Sequence, residues 1–294
     1  MKPSASQTWL EVAPDWILGM PEWIEDLCYD VYKSFIFDNR YEMYLEGLGN
    51  TLLLTALALL LGVVLGVVVA LVRVTWDKNG AEMSGAPKWI LWVANLVSKI
   101  YLTVIRGTPV VVQLMIMYYI IFASSRNGVA VATLAFGINS GAYVAEIFRS
   151  GIMSIDGGQF EAGRSLGFTY VQTMRHIIIP QAFKNVLPAL ANEFIVLLKE
   201  TSVAGYVTVR DLTMGGNIIR SVTYSPFLPL IAVALIYLVL VMFFTWLVGK
   251  LERKLQNSGT RPVKTKTRLT WGGQGAGALG VKREQEIEEG NKNG

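Results

Sequence analysis

One cysteine and one histidine are all that 294 residues contain, and charged residues make up only 16% of the chain. A lone Cys28 excludes a disulfide framework within the chain and any cysteine-based metal site. His176 has no second histidine to complete a metal site, so it reads as a capping or interface residue. The motif Gly-x-x-x-x-Gly-Lys-(Ser/Thr) is absent, so the chain cannot cradle ATP phosphates in that manner by itself. The first residues also lack the basic start, apolar run and small-residue cleavage site of a signal peptide. Soluble domains carry roughly 25% charged residues. With 52% hydrophobic residues, this chain falls in the membrane class instead.

Apolar runs set the organisation. Thr51 to Val72 is uncharged over 22 residues, enough to cross a hydrocarbon core of about 30 Å. Within it Gly62, Gly66 and Ala70 fall four apart, a small-residue face suited to close packing inside the chain, with subunit association as the alternative. Five spans are expected, at about 51–73, 90–124, 128–148, 177–200 and 226–249. In the second, Pro109 favours a helix start after a break at Arg106-Gly107-Thr108. In the fourth, Pro180 and Pro188 predict kinks or restarts.

Residues 1–46 hold nine acidic residues against three basic ones, among many Trp and Tyr. Such a mix suits a segment at the membrane surface. It reads as an extracytoplasmic cap, with a docking surface for an extracytoplasmic partner as the alternative. Residues 256–294 cannot bury enough apolar surface to fold and are expected to form a disordered cytoplasmic tail. Basic residues cluster in the 73–88 loop, the 156–176 segment and the tail. The positive-inside rule then puts the N-terminus outside and the C-terminus in the cytoplasm of a multi-pass cell-membrane protein.

Between the third and fourth spans lies a polar insert, Gly158 to Ala182. Gly167 sits where a first helix ends in the left-handed conformation. Thr169 with Gln172 forms a capping box that starts a second helix. Val171, Met174 and Ile178 recur along one face of it, and Pro180 is expected to end it. The result is a helical hairpin over 156–176. Gly163-Arg164-Ser165-Leu166-Gly167 matches a nucleophile elbow as text, but a helix and its cap supply neither the strand nor the His–acid pair that chemistry needs. Membrane spans on both sides leave no room for DNA docking.

At these residues the chain resembles a known family. Glu161-Ala162-Gly163, Gly167 and Ile177-Ile178-Ile179-Pro180 are similar to the cytoplasmic loop signature of ABC importer membrane subunits. Gly163 replaces the usual second Ala, a change that weakens a helix interior by about 1 kcal/mol. Gly47-Leu48-Gly49-Asn50-Thr51-Leu52, Arg106-Gly107-Thr108-Pro109 with Gln113, Asn139 to Ile152, and Leu198 to Val203 resemble the branch that carries polar amino acids. This resemblance covers 47–255.

The resemblance implies an all-α integral membrane protein of about five transmembrane helices, the transmembrane domain of a type I ABC importer. It is then a permease subunit and not an enzyme, forming half of a translocation pathway. The implied partners are two ATP-binding subunits, a second identical or homologous permease, an extracytoplasmic solute-binding protein, membrane lipid and a polar amino acid. No cofactor is expected in this chain, since ATP and Mg belong to the partner subunits. Coupling to the ATPase is implied for Glu161, Ala162, Gly163, Arg164, Gly167, Arg175 and Pro180. For the substrate route, polar residues within spans are candidates by default: Asn139, Tyr143, Glu146, Glu193 and Glu200. Glu146 has Arg149 three residues on as an alternative partner. Other small solutes, such as an osmolyte or opine, and an ion-coupled secondary transporter remain the competing readings.

Overall fold

The computed structural model describes residues 5–258, with side chains described through residue 255. Three short helices come first, α1 (Ala5–Val12), α2 (Asp15–Leu18) and α3 (Glu22–Val31). They close on themselves through aromatic rings. Trp9 is buried between Tyr29 and Tyr32, at ring distances of 5.9 and 5.3 Å. A π turn (Tyr32–Ile36) and a 3-10 turn (Phe37–Asn39) then redirect the chain.

The long helix α4 (Tyr41–Asn79) contains the expected 51–73 span and continues beyond it on both sides. Its 39 residues make it about 58 Å long at 1.5 Å per residue. Charged residues such as Glu42, Asp77 and Lys78 fall outside the apolar centre, where they do not oppose helix formation. The buried positions Thr51, Leu54, Thr55, Ala58, Gly62, Gly66, Ala70 and Val74 form one face. That face receives α7 (Gly128–Met153), which follows α5 (Gly85–Arg106) and α6 (Val110–Ile116). A Cβ at Gly62 would lie 3.1 Å from Ser140, and one at Gly66 would lie 2.6 Å from Val144. Gly137 and Gly141 on α7 approach Leu61 and Leu65 in the same way. The small-residue face therefore packs within the chain.

The expected 90–124 span divides at Gly107–Pro109. α5 ends at Arg106, Pro109 caps α6, and a π turn (Met117–Ile121) completes the segment. Asn127 caps α7 by accepting from the Ala130 amide at 3.0 Å.

After α7 come α8 (Gly157–Ser165), α9 (Tyr170–Thr173) and α10 (Ile179–Glu200). Here the structure corrects the expectation that Pro180 ends the second hairpin helix. α9 passes through a π turn (Met174–Ile178) directly into α10. Pro180 occupies the first turn of α10, where a missing N–H is tolerated. The Ile179 amide reaches back to the Met174 carbonyl, the i→i+5 bond of a π turn. Four described helices, α4, α5, α7 and α12 (Phe227–Ser258), are long and apolar enough to cross a membrane. The fourth expected span corresponds to α10, which has 22 residues but carries Lys184, Glu193, Lys199 and Glu200. Between α10 and α12 lie a 3-10 turn (Thr201–Val207) and α11 (Leu212–Thr223), capped by Asp211.

Two apolar clusters mark the two ends of α4. Tyr44 packs with Leu212, Ile219, Val233 and Phe35 at one end. Val74 packs with Ile152, Phe160, Met174, Ile178 and Ala182 at the other. Thirty residues of helix separate them, about 45 Å. The N-terminal segment and the hairpin thus lie on opposite sides of a membrane-thick body. Of the tail expected over 256–294, residues 256–258 continue α12, and the remainder lies outside the described residues.

Candidate functional site

Two features carry the polar chemistry, and the hairpin is the first. α8 ends in a Schellman motif, with Gly167 at φ +79°. The Phe168 amide donates to the Gly163 carbonyl at 3.0 Å, and the Gly167 amide to the Arg164 carbonyl at 2.9 Å. Thr169 and Gln172 form both halves of the capping box. The inner side is fixed to the membrane body. Phe160 stacks on Tyr170, and the Lys78 ammonium of α4 lies 4.9 Å from the Phe160 ring centre.

Of the predicted coupling residues, Glu161, Ala162, Arg164, Arg175 and Pro180 are exposed, while Gly163 is buried against Thr173. Val171 departs from the expected apolar face. Met174 and Ile178 are buried, but Val171 is 70% exposed because α9 packs through Tyr170 and Thr173 instead. Together with Leu166, 72% exposed, it gives the outer edge of the hairpin an apolar rim beside its charges.

The second feature is the break between α5 and α6. Gln113 holds it together: its Nε2 donates to the carbonyls of Ile105 (2.7 Å) and Thr108 (3.1 Å) and to the Thr108 hydroxyl (2.7 Å). These bonds satisfy backbone that a continuous helix would have paired. The other end of the amide, Oε1, accepts from Asn139 Nδ2 at 3.0 Å. Next to Asn139, the Ser140 hydroxyl donates to Glu193 at 2.9 Å. Ser140 meets α4 at Gly62, midway along the 51–72 run, so this constellation sits at the centre of the apolar layer.

Arg106 closes the site from the end of α5. Its guanidinium lies 5.5 Å from the Tyr143 ring centre and 3.7 Å from Glu146. The expected Glu146–Arg149 pair exists only as a 4.0 Å contact, because Arg149 is engaged twice by Asp77 Oδ2, at 2.9 and 3.1 Å. Asn139, Tyr143, Glu146 and Glu193 are thus drawn into one region. Glu200 stands apart at the end of α10, seven residues beyond Glu193.

Arg106, Gln113 and Ser140 are site residues that lie within motif segments of the sequence but were not among its candidate site residues. The first two stand inside the Arg106-Gly107-Thr108-Pro109 segment and its following glutamine, and Ser140 adjoins Asn139. Among the described residues there is no group of three or more His, Cys, Asp or Glu side chains arranged to hold a metal ion.

A helix broken within the apolar layer and a rigid polar hairpin outside it describe a multi-helix membrane protein with a docking element. The sequence pattern of the binding-protein-dependent transport system inner membrane components matches residues 83–257, and the chain belongs to that family. It is 36% identical over 217 residues to the arginine transport system permease protein ArtQ of Bacillus subtilis (strain 168), covering 73% of this chain and 93% of that protein. The glutamine transport system permease protein GlnP of Escherichia coli (strain K12) is 34% identical over 218 residues, covering 73% and 93%. Among solved structures, an amino acid ABC transporter crystallised with histidines shares 43% identity at a TM-score of 0.64, covering 73% of this chain and 94% of that one. The MetNI methionine ABC transporter in its inward-facing form, at 21% identity and a TM-score of 0.61, shares the fold. The protein is therefore a multi-pass permease subunit of an ABC importer with the type I transmembrane fold. It is non-catalytic, and hydrolysis occurs in partner subunits.

Proposed function

We propose that this chain imports a polar amino acid, forming half of the pathway with a second identical or homologous permease. The observation that carries this reading is mechanical. From Tyr170 the chain runs helically through the π turn to Glu200, so the hairpin and Glu193 belong to one continuous rod. Two ATP-binding subunits dock on the exposed hairpin edge at Glu161, Arg164, Arg175 and the Leu166–Val171 rim. ATP and Mg are held by those subunits, and their closure moves the hairpins as rigid bodies, a switch of the alternating-access kind.

For the substrate, the exposed cation Arg106 and the carboxylate of Glu146, both half-open beside Tyr143, suit the opposite charges of an amino acid zwitterion. Asn139, Glu193 and Glu200 line the route. The relatives named for arginine and glutamine transport support the polar amino acid class. Charge supports an orientation with the N-terminus outside. α12 lies against the middle of α10, with Thr245 to Glu252 beside Asn185 to Ile195, and carries Lys250, Arg253 and Lys254 at its end towards the hairpin, whereas the described acid-rich residues of the N-terminal segment pack at the opposite end, where a solute-binding protein delivers its cargo.

Co-purification from native membrane after gentle solubilisation tests this, comparing wild type with Glu161→Lys. An ATPase subunit is expected to co-elute with wild type and to be lost from the variant. Absence of an ATPase from both preparations would overturn the coupling reading.

A further inference from the structure

At the hairpin end of the body, the last turn of α4 and the first turns of α5 enclose a groove lined by Trp76, Gly85, Lys88, Trp89 and Trp92. Its wall is built: the Trp76 ring lies so close to Gly80 that a Cβ there would sit 3.0 Å from indole Cδ2. Gly85, Lys88, Trp89 and Trp92 share one face of α5 by helical spacing. Trp89 is 67% and Trp92 46% exposed, and the same exposed surface continues along α5 through Leu96 and Ile100.

We propose that this groove binds an anionic phospholipid, with its phosphate against the Lys88 ammonium and an acyl chain along Trp92, Leu96 and Ile100. The groove opens where two membrane-crossing helices end, the depth at which indole rings sit among headgroups. Its apolar face is continuous with exposed apolar surface along α5. Charge selects the headgroup. α5 contains Lys88, Lys99 and Arg106 and no acidic residue, and among the described residues neither Lys88 nor Lys99 has an ion-pair partner. The nearby acids lie elsewhere: Asp77 is held by Arg149, and Glu82 stands exposed in the connecting turn, outside the lining. Lys99 shares the face of Lys88 but lies about 16 Å further along the helix, beyond reach of the same phosphate.

Native mass spectrometry of the full-length, delipidated protein tests the site, with titration by dioleoyl phosphatidylglycerol or dioleoyl phosphatidylcholine. Wild type is expected to bind the glycerol lipid about fivefold more tightly, the effect of one lysine near a headgroup. Lys88→Gln should bring that ratio near one without shifting thermal unfolding. Lys99→Gln should leave the ratio unchanged. The paired change Trp89→Leu with Trp92→Leu should weaken both lipids alike and keep the ratio. A ratio near one in wild type, a ratio retained in Lys88→Gln, or equal losses in Lys88→Gln and Lys99→Gln would each overturn the proposal, the last by showing attraction to the whole helix rather than to this groove.

Discussion

A Cβ placed on Gly163 would lie 2.6 Å from both Cγ2 and Oγ1 of Thr173, so the two helices of the hairpin meet where no side chain fits. Ala at this position gains about 1 kcal/mol of helix propensity over Gly in isolation. The contact reverses that sign, because Thr173 is itself buried and its hydroxyl has no hydrogen-bond partner among the described residues. Gly163→Ala is therefore expected to destabilise the protein by about 1–3 kcal/mol through overpacking. Thr173→Ala should be close to neutral, and the double variant should recover most of the loss. Thermal unfolding of the four proteins gives the cycle; additive effects in it would show that the two residues do not compete for space.

Local signals made the hairpin legible in the sequence, and tertiary ones hid the rest. Gly167, Thr169 and Gln172 act within a few residues of themselves, so their roles could be read without a partner. The π turn at Met174–Ile178 could not, since Pro180 is equally compatible with a break, and the packing of Met174 and Ile178 against Val74 is tertiary. Arg73 and Lys78 made the chain from residue 73 read as a polar loop, whereas α4 runs on to Asn79, since charges beyond the apolar layer do not oppose a helix. In the site, Asn139 and Glu193 stood out as polar residues in apolar surroundings. Gln113 did not, because its meaning lies in the broken backbone of residues 105–108 that it ties together.

Asp211 provides a pH-dependent test outside the spans. Its carboxylate accepts from the amides of Thr213 at 3.0 Å and Met214 at 3.1 Å, capping α11. Burial pushes its pKa above the ordinary 3.8, and those hydrogen bonds only partly oppose the shift. A raised folded-state pKa means that the folded protein holds the proton more tightly than the unfolded chain. The associated stability is present below pH 3.8 and is lost as pH rises through the folded value. Asp211→Asn keeps the cap and should remove this component from a stability–pH profile. Asp211→Ala should lose the cap, about 0.5–2 kcal/mol, and the same pH-dependent component with it. An unchanged profile in Asp211→Asn would show that another group titrates there.

Packing of α4 on α7 predicts a position-specific response to the smallest possible change. At Gly66 an added Cβ meets Val144 at 2.6 Å and the Ala145 amide nitrogen at 2.9 Å, and backbone cannot move aside as a side chain can. At Gly49, on the same helix, an added Cβ meets nothing beyond its own helix within 4 Å among the described residues. Gly66→Ala should lower stability by about 1–3 kcal/mol, whereas Gly49→Ala should be neutral or mildly stabilising. Equal melting temperatures for the two variants in detergent would contradict the close approach of these helices.

Glu193 separates a role in transport from a role in stability. It is 8% exposed, its hydrogen bond comes from Ser140, and among the described residues it has no ion-pair partner. Such a buried acid is an expensive way to fill space at mid-membrane, which makes it a candidate for the substrate route. Glu193→Gln preserves shape and can still accept from Ser140, while altering charge and proton affinity. Glu193→Ala also deletes the bond and leaves a void. If the acid acts on the passage, Glu193→Gln in proteoliposomes with the ATPase and binding protein should shift uptake affinity or rate by about tenfold, the scale of replacing a charged hydrogen bond by a neutral one, without lowering the melting temperature. Asn139→Ala should shift the same parameters, since its amide fixes Gln113 beside the broken helix. A loss of stability in Glu193→Ala with full transport by Glu193→Gln would instead make the residue a packing element. Unaltered affinity and rate in both Glu193→Ala and Asn139→Ala would remove the pair from the pathway altogether.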